Sequence, residues 1–212
     1  MKLYSFFRSG TSHRLRIALN LKGLKPDYVG IDLRTEEHLK ASFKAINPQG
    51  FVPALDIGGE VLTQSPAIIE WLEETYPTPA LLPHQTWCRA YVRALAAVVG
   101  CDIHPINNRR ILEYLRKNLN LSEEQINKWC SNWIVDGFNA YEALLKKDKN
   151  RFNFSYGDTP TLADVYLIPQ IESSRRFKVD LSQWPLISSV ETACMQLDAF
   201  KNAAPMQQVD AS

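Results

Sequence analysis

Long apolar runs are missing from this chain of 212 residues. The longest unbroken one, Ala94 to Val99, falls far short of the roughly 18 residues that a membrane span requires, so neither a membrane segment nor a membrane partner is expected. The N-terminus lacks the pattern of an export signal, because Met1-Lys2-Leu3-Tyr4 passes into a strand-like stretch and then into Arg8, His13, Arg14 and Arg16. A cytoplasmic location is expected. Cysteine is sparse and scattered: Cys88, Cys101, Cys130 and Cys194 include no C-x-x-C pair, which argues against zinc or dithiol chemistry and leaves reduced, mostly core thiols and no bound metal. An excess of one charge is also absent. Lys plus Arg at 24 against Asp plus Glu at 23 gives a net charge of +1, too little to hold a polyanion, so no nucleic acid partner is expected. No internal repeat is found. Hydrophobic residues at 45% and charged residues at 22% are ordinary for a globular chain and exclude collagen-like, disordered and low-complexity classes. The length suits one large or two modest domains with a core that needs no staples.

Tyr76-Pro77-Thr78-Pro79 and Leu82-Pro83 place three prolines in a stretch that can be neither helix interior nor central strand, which marks a linker. Before it, Lys2 to Phe7 is rich in strand formers. Ser12 opens a helix with Leu15, Ala18 and Leu19 on one face and Gly23 as its stop. Pro26 to Leu33 reads as a strand, and Glu36 to Ile46 as a helix burying Leu39, Phe43 and Ile46. Val52 to Asp56 and Glu60 to Thr63 flank a Gly58-Gly59 hairpin turn, and Ser65-Pro66 starts a helix carrying Ile68, Ile69 and Leu72. The order is β-α-β-α-β-β-α. After the linker only helices are expected. Ser122-Glu123-Glu124-Gln125 is a capping box ahead of a stripe of Ile126, Trp129, Trp133, Tyr141 and Leu144. Thr161-Leu162-Ala163-Asp164 is a second box, and its helix must kink or offset at Pro169; Asp164 is assigned to stability. Trp87 to Asn107 and Pro185 to Leu197 add apolar periodicity. The chain therefore divides into an α/β domain over residues 1–80 and an all-helical domain over 86–212, with a loose tail from about Ala204 to Ser212.

Four features of the first domain bear on binding, each with a structural alternative. Gln64 and Ser65 stand where a helix begins, so Ser65 either only caps that helix or offers its hydroxyl to an anion reinforced by the helix dipole. Pro53 follows Val52 and enters a strand: a cis bond would turn the Val52 N–H and C=O outward toward an extended peptide, and a trans proline at the strand's first residue is the alternative. In Arg8-Ser9-Gly10-Thr11-Ser12-His13, between the first strand and helix, a serine either donates to an anion or caps a turn. His38 either reaches a ligand carboxylate or is a surface histidine.

Taken together in this order, these residues resemble a known family. Phe7-Arg8-Ser9-Gly10-Thr11-Ser12-His13-Arg14-Leu15-Arg16 is similar to the serine motif of the zeta-class glutathione S-transferases. Asn47-Pro48-Gln49-Gly50-Phe51-Val52-Pro53-Ala54-Leu55 and Gln64-Ser65-Pro66-Ala67-Ile68 resemble that class's glutathione-binding segments, and Asp102-Ile103-His104-Pro105 with Asn107-Asn108-Arg109-Arg110 also resembles it. The resemblance covers nearly the whole chain and is nearest to the bacterial maleylpyruvate isomerases, relatives of the maleylacetoacetate isomerases. It implies the glutathione S-transferase fold, an α/β thioredoxin-like domain followed by an all-α domain, with reduced glutathione as cofactor. It implies that Ser9, with Gly10 and Thr11 in the same turn, stabilises the glutathione thiolate. Val52, ahead of Pro53, pairs with the cysteinyl backbone; Gln64 and Ser65 hold the γ-glutamyl end; His38 lies near the glycyl end. Asp102 is a candidate contributor across a homodimer interface, and His104 counts among the residues that bind glutathione. One departure stands out: many zeta proteins carry a cysteine two places after the motif serine, where this chain has Thr11.

The implied reaction turns a maleyl oxo-acid into its fumaryl isomer. Its small dicarboxylate substrate calls for basic residues, for which Arg8, Arg109, Arg110, Arg175 and Arg176 are candidates, since a guanidinium clamps a carboxylate in bidentate fashion. Adjacent helical residues point about 100° apart, so one of each pair faces the pocket, and Arg110 and Arg176 are preferred, with Arg8, as catalytic groups beside Ser9. His104 either orients a substrate carboxylate or satisfies a core hydrogen bond. Two alternatives remain open at this point: a general transferase acting on small electrophilic acids, and a non-catalytic binding protein on the same scaffold.

Overall fold

Strand β1 (Lys2–Ser5) is the inner strand of a four-stranded sheet of order β2-β1-β3-β4. β2 (Asp27–Gly30) runs parallel to it, while β3 (Ala54–Ile57) runs antiparallel to β1 and forms a hairpin with β4 (Glu60–Thr63). The hairpin turns on Gly58 and Gly59 at φ of 71° and 104°, a backbone that glycine adopts without strain. This is a computed structural model, describing residues 1–149 and 151–211. The chain divides into two compact units, one of Met1–Leu81 with the segment from Met195 on, the other of Leu82–Cys194.

In the first unit the period of two along β1 sorts its side chains. Ser5 faces α1 (Gly10–Leu21), where it accepts from Arg16, whereas Tyr4 meets Phe43 of the short helix α2 (Ala41–Lys44) edge to face at 6.1 Å. Helix α3 (Ser65–Thr75) packs beside α1 and buries Ile68, Ile69 and Leu72. Two expectations are corrected here. Helix α1 is buried nearly all round, His13, Arg14 and Arg16 included, because the Arg16 guanidinium donates to the carbonyls of Phe6, Phe7 and Ala203. Burial, with the Arg16 charge beside it, holds the His13 imidazole down at about 3, so it stays neutral. The helix expected over Glu36 to Ile46 is instead a 3-10 turn, Glu37–Leu39, followed by α2. Glu36 at φ 59° and the extended Lys40 interrupt it, and Leu39 lies exposed.

The expectation of a loose tail fails for a different reason: polar bonds rather than apolar area anchor that segment. After α9 (Asp198–Lys201), the Ala203 carbonyl accepts from Arg16 Nε at 2.9 Å, and the Asp210 carboxylate accepts from the Phe7 N–H at 3.0 Å and from the Tyr28 hydroxyl at 2.7 Å. The segment from Met195 accordingly belongs to the α/β unit rather than to the helical one; Ser212 lies outside the described residues. The proline-rich stretch is tied down as well. Lys22 Nζ, buried, donates to Glu73 at 2.6 Å and to the carbonyls of Tyr76 and Pro79 at 2.7 Å each.

The second unit is helical: α4 (Thr86–Ala97), a π-helical turn Val98–Ile103, α5 (Arg109–Asn118), α6 (Glu123–Lys147), α7 (Leu162–Arg176) and α8 (Pro185–Cys194). Ser122 and Gln125 form the capping box of α6. Its buried stripe is rotated from the expected one: Cys130, Ile134, Phe138 and Leu145 join Ile126 and Tyr141, whereas Trp129, Trp133 and Leu144 are only partly covered. Trp184 fills the core edge to face on Phe138 and donates to Asn139. Helix α7 runs through Pro169 without a break. The fully buried Asp164 accepts from the backbone N–H of Thr161 at 2.7 Å and of Ser155 at 2.8 Å and from the Thr161 hydroxyl. Burial raises its carboxyl above the usual range. Two of the cysteines, Cys130 and Cys194, are core thiols; Cys101 is exposed and Cys88 half-buried.

Asp164→Ala leaves two buried backbone donors without an acceptor and is expected to lower stability by about 3 kcal/mol or more, measured by urea unfolding. A loss below about 1 kcal/mol would show that water replaces the carboxylate.

Candidate functional site

Three short segments of the α/β unit carry the candidate binding residues. The first is the turn from β1 into α1. Ser9 is the N-cap, at φ −72° and ψ 122°, and its Oγ accepts from the Ser12 N–H at 3.2 Å. Ser9 Oγ also lies 3.0 Å from Thr11 Oγ1, and the Thr11 hydroxyl donates to the Val52 carbonyl at 2.9 Å. A threonine has one hydroxyl proton. With that proton on Val52, the proton between the two hydroxyls must come from Ser9. Ser9 therefore caps with a lone pair and keeps its proton on a side that can swing to an incoming acceptor without uncapping the helix.

The second segment is Asn47 to Pro53. Asn47 shapes it, its side chain donating to Phe51 O at 2.7 Å and accepting from Gln49 N at 3.1 Å. Gly50 sits at φ 65°, where a Cβ would come within 2.8 Å of the His38 carbonyl, so only glycine lets the 3-10 turn bearing His38 close onto this loop. The Val52–Pro53 bond is cis. Val52 stands ahead of the ladder, which begins at Ala54. One lone pair of its carbonyl oxygen already accepts from Thr11, which leaves the second for another donor.

The third segment begins α3. Gln64, not Ser65, is the N-cap, and its φ of 68° with ψ 110° is a strained backbone worth about 1–3 kcal/mol. Ser65 consequently lies inside the first turn. Its Oγ is buried without a hydrogen-bond partner, which removes the reading that Ser65 merely caps its own helix. A strained residue followed by an unsatisfied hydroxyl at a helix N-terminus is the arrangement of an anion cradle. Gln49, overlooked in the sequence, reaches the same place: Gln64 Nε2 donates to Gln49 Oε1 at 2.6 Å. Its position inside the Asn47-Pro48-Gln49-Gly50 turn was the available signal.

In the helical unit, Asp102 is exposed and His104 half-buried, at and just past the π-helical turn. Gly100 lets that turn approach the Tyr166 ring, where a Cβ would fall at 2.8 Å, and Gly137 of α6 leaves room for the turn's Ile103 side chain, which a Cβ there would overlap. π-turns of this kind frequently mark functional sites. Arg109 and Arg110 are both exposed in the first turn of α5, where the helix dipole disfavours cations, and Asn108 caps that helix through the Arg110 N–H at 3.1 Å. The two arginines ending α7 differ. Arg175 pairs with Glu191 at 2.6 Å and with Glu172 at 3.5 Å, whereas Arg176 donates to Ser173 Oγ and has its charge beside Cys130. Burial nonetheless drives the Cys130 thiol up to about 12, which leaves it inert. The Cys130 carbonyl lies 3.5 Å from Asn107 Nδ2, and Trp129 donates to Ile106 O at 3.1 Å, so the N-terminal third of α6 links the Arg176 end of α7 to the loop before Arg109 and Arg110.

Residues 8–75 match the family described as glutathione S-transferase, N-terminal domain. Over all 212 residues, and the whole length of the relative, the chain is 66% identical to a maleylpyruvate isomerase from a Ralstonia species. The chain belongs to the zeta-class glutathione S-transferases. A solved holo structure of a maleylpyruvate isomerase, described as a bacterial glutathione S-transferase of the zeta class, superposes with a TM-score of 0.99 at 66% identity, covering 100% of both chains. A maleylacetoacetate isomerase from Methylobacterium extorquens AM1, solved with bound malonate and glutathione, gives a TM-score of 0.96 at 37% identity, again with 100% of both chains covered. Within a zeta-class fold the three segments built above are the ones that the serine motif, the Val52–Pro53 loop and the start of α3 supply.

The two serines should respond differently in the ligand-free protein. Ser9→Ala removes a helix cap and is expected to lower stability by about 1 kcal/mol, while Ser65→Ala, which breaks no bond, changes it by less than about 0.5 kcal/mol. Equal losses in thermal unfolding would contradict the assignment of the two hydroxyls.

Proposed function

We propose that this chain is a glutathione-dependent isomerase that converts a maleyl oxo-acid into its fumaryl isomer, with maleylpyruvate preferred over maleylacetoacetate. The observation that carries the reading is the buried, unpartnered Ser65 hydroxyl behind the strained Gln64. Both the full-length identity to the Ralstonia maleylpyruvate isomerase and the diacid bound with glutathione in the M. extorquens relative favour it. Bound glutathione supplies a thiolate whose reversible addition turns the cis double bond into a single bond, so that rotation and elimination give the trans product and regenerate the thiol.

The chain's own residues do the rest. Ser9, freed from Thr11 by rotation of its hydroxyl, donates to the sulfur at the positive end of α1. A thiol near 8.5 lowered by about two units gains some 20- to 30-fold in thiolate at pH 7, or roughly 2.7 kcal/mol. The Val52 backbone pairs with the cysteinyl unit, Gln64 and Ser65 bind the γ-glutamyl carboxylate, and His38 serves the glycyl end. Arg8, Arg110 and Arg176 hold the substrate carboxylates and the negative charge that develops on the ketone oxygen. Arg175, already engaged by two glutamates, takes no part. Asp102 completes the glutathione site across a homodimer in the cytoplasm, and His104 lies with the glutathione- and substrate-binding residues.

The test follows the loss of each maleyl oxo-acid with catalytic reduced glutathione, then counts thiols. Turnover with the thiol count unchanged is expected; thiol consumed in step with product would make the protein a general transferase, and binding without turnover a non-catalytic one. Arg176→Ala is expected to raise KM for the diacid about 10- to 100-fold and leave glutathione affinity within about twofold, and Arg175→Ala to leave both unchanged. Ser65→Ala should weaken glutathione binding about tenfold or more by calorimetry.

A further inference from the structure

The turn that presents Ser9 is held from the far end of the chain. β1 ends at Ser5, so the backbone groups of the buried Phe6 and Phe7 lie beyond the sheet ladder and need other partners. The Phe7 N–H donates to Asp210 Oδ2 at 3.0 Å, across 203 residues of sequence. The Phe7 carbonyl accepts from Arg16 Nη2 at 3.0 Å, and the same guanidinium reaches Ala203 O through Nε. The Phe7 N–H is therefore satisfied by Asp210 and its carbonyl by Arg16, which the same segment holds through Ala203 O. The other oxygen of Asp210 accepts from Tyr28 Oη at 2.7 Å. Gly30 lies beside it, where a Cβ would make ordinary van der Waals contact with Asp210 Cβ at 3.4 Å. Arg34 lies over the rings of Phe6 and Phe7 at 5.9 and 5.7 Å, its charge also felt by Asp210. Ala211 packs against the cluster of Phe6, Phe7, Phe43 and Val52, the last being the residue whose carbonyl Thr11 grips.

We propose that Asp210 is a positioning residue: it latches the Phe6–Phe7 backbone so that Ser9 is held at the end of α1 with its hydroxyl directed for the thiol. The proposal rests on the reading of Ser9 as the thiolate donor. A carboxylate that bonds a buried N–H and a hydroxyl at once specifies one geometry for the strand exit, and Tyr28 and the charges of Arg16 and Arg34 converge on it.

The experiment compares wild type, Asp210→Ala and Asn20→Ala. Asn20 donates to Ala199 O at 2.9 Å, so its loss loosens the same segment away from the turn. In the ligand-free protein, amide exchange of Phe7, Ser9 and Ser12 is expected to rise about tenfold or more in Asp210→Ala and to stay within about twofold of wild type in Asn20→Ala. In the isomerase assay, well below the melting temperature, Asp210→Ala should raise KM for glutathione about tenfold and leave KM for the diacid within about twofold. Asp210→Asn keeps one carbonyl acceptor and shows the same pattern to a smaller degree, carrying the comparison should the alanine variant not fold. Exchange at Phe7 to Ser12 no faster than in Asn20→Ala overturns the latch, and faster exchange with an unchanged glutathione KM overturns the positioning role. Wild-type turnover that ignores glutathione would instead sink the reading of the reaction, while the exchange comparison still decides the latch.

Discussion

One hydroxyl group has to do two things at the start of α1. Ser9 caps the helix by accepting from Ser12, and the proposed chemistry requires it to donate to a sulfur. The two tasks are compatible because they use different parts of the group: a lone pair for the cap, the proton for the ligand. Much of the surrounding structure keeps those parts apart. Thr11 accepts the spare proton and anchors itself on Val52; Arg16 and Asp210 fix the backbone just before the turn; Gly50 and Asn47 shape the loop on which Val52 sits.

Thr11 takes on a definite meaning in that setting. A cysteine in place of Thr11 would donate weakly through sulfur, whereas the threonine hydroxyl makes a 2.9 Å bond to Val52 O and parks the Ser9 proton. The serine turn and the Val52–Pro53 loop thereby become one hydrogen-bonded unit. Side chains of the α3 start do the opposite, leaving Ser65 Oγ without a partner behind a strained Gln64.

How much of this was legible in the sequence depended on the range of the interaction. Element order, the Gly58-Gly59 hairpin, both capping boxes and the helical second unit follow from local signals, and so does the proximity of the serine motif to a helix start. The cap at α3 was displaced by one residue, because nothing local announces a positive φ at a glutamine. The buried charges of α1 and the ordered segment after Ala203 were not legible at all: arginines and a terminal aspartate do not read as core, and their partners lie up to 203 residues away. Likewise the stripe on α6 was rotated, since large tryptophans outweighed Cys130 and Ile134 in a reading by hydrophobicity alone.

The central claim is that Ser9 lowers the pKa of a thiol bound at the end of α1. The most direct measurement is an ultraviolet titration of thiolate absorbance in the glutathione complex of wild type and Ser9→Ala, with occupancy held equal by calorimetry. The bound thiol in the wild type is predicted to titrate about two units below 8.5 and in Ser9→Ala to return at least about one unit of that. Identical titration curves for the two proteins would contradict it.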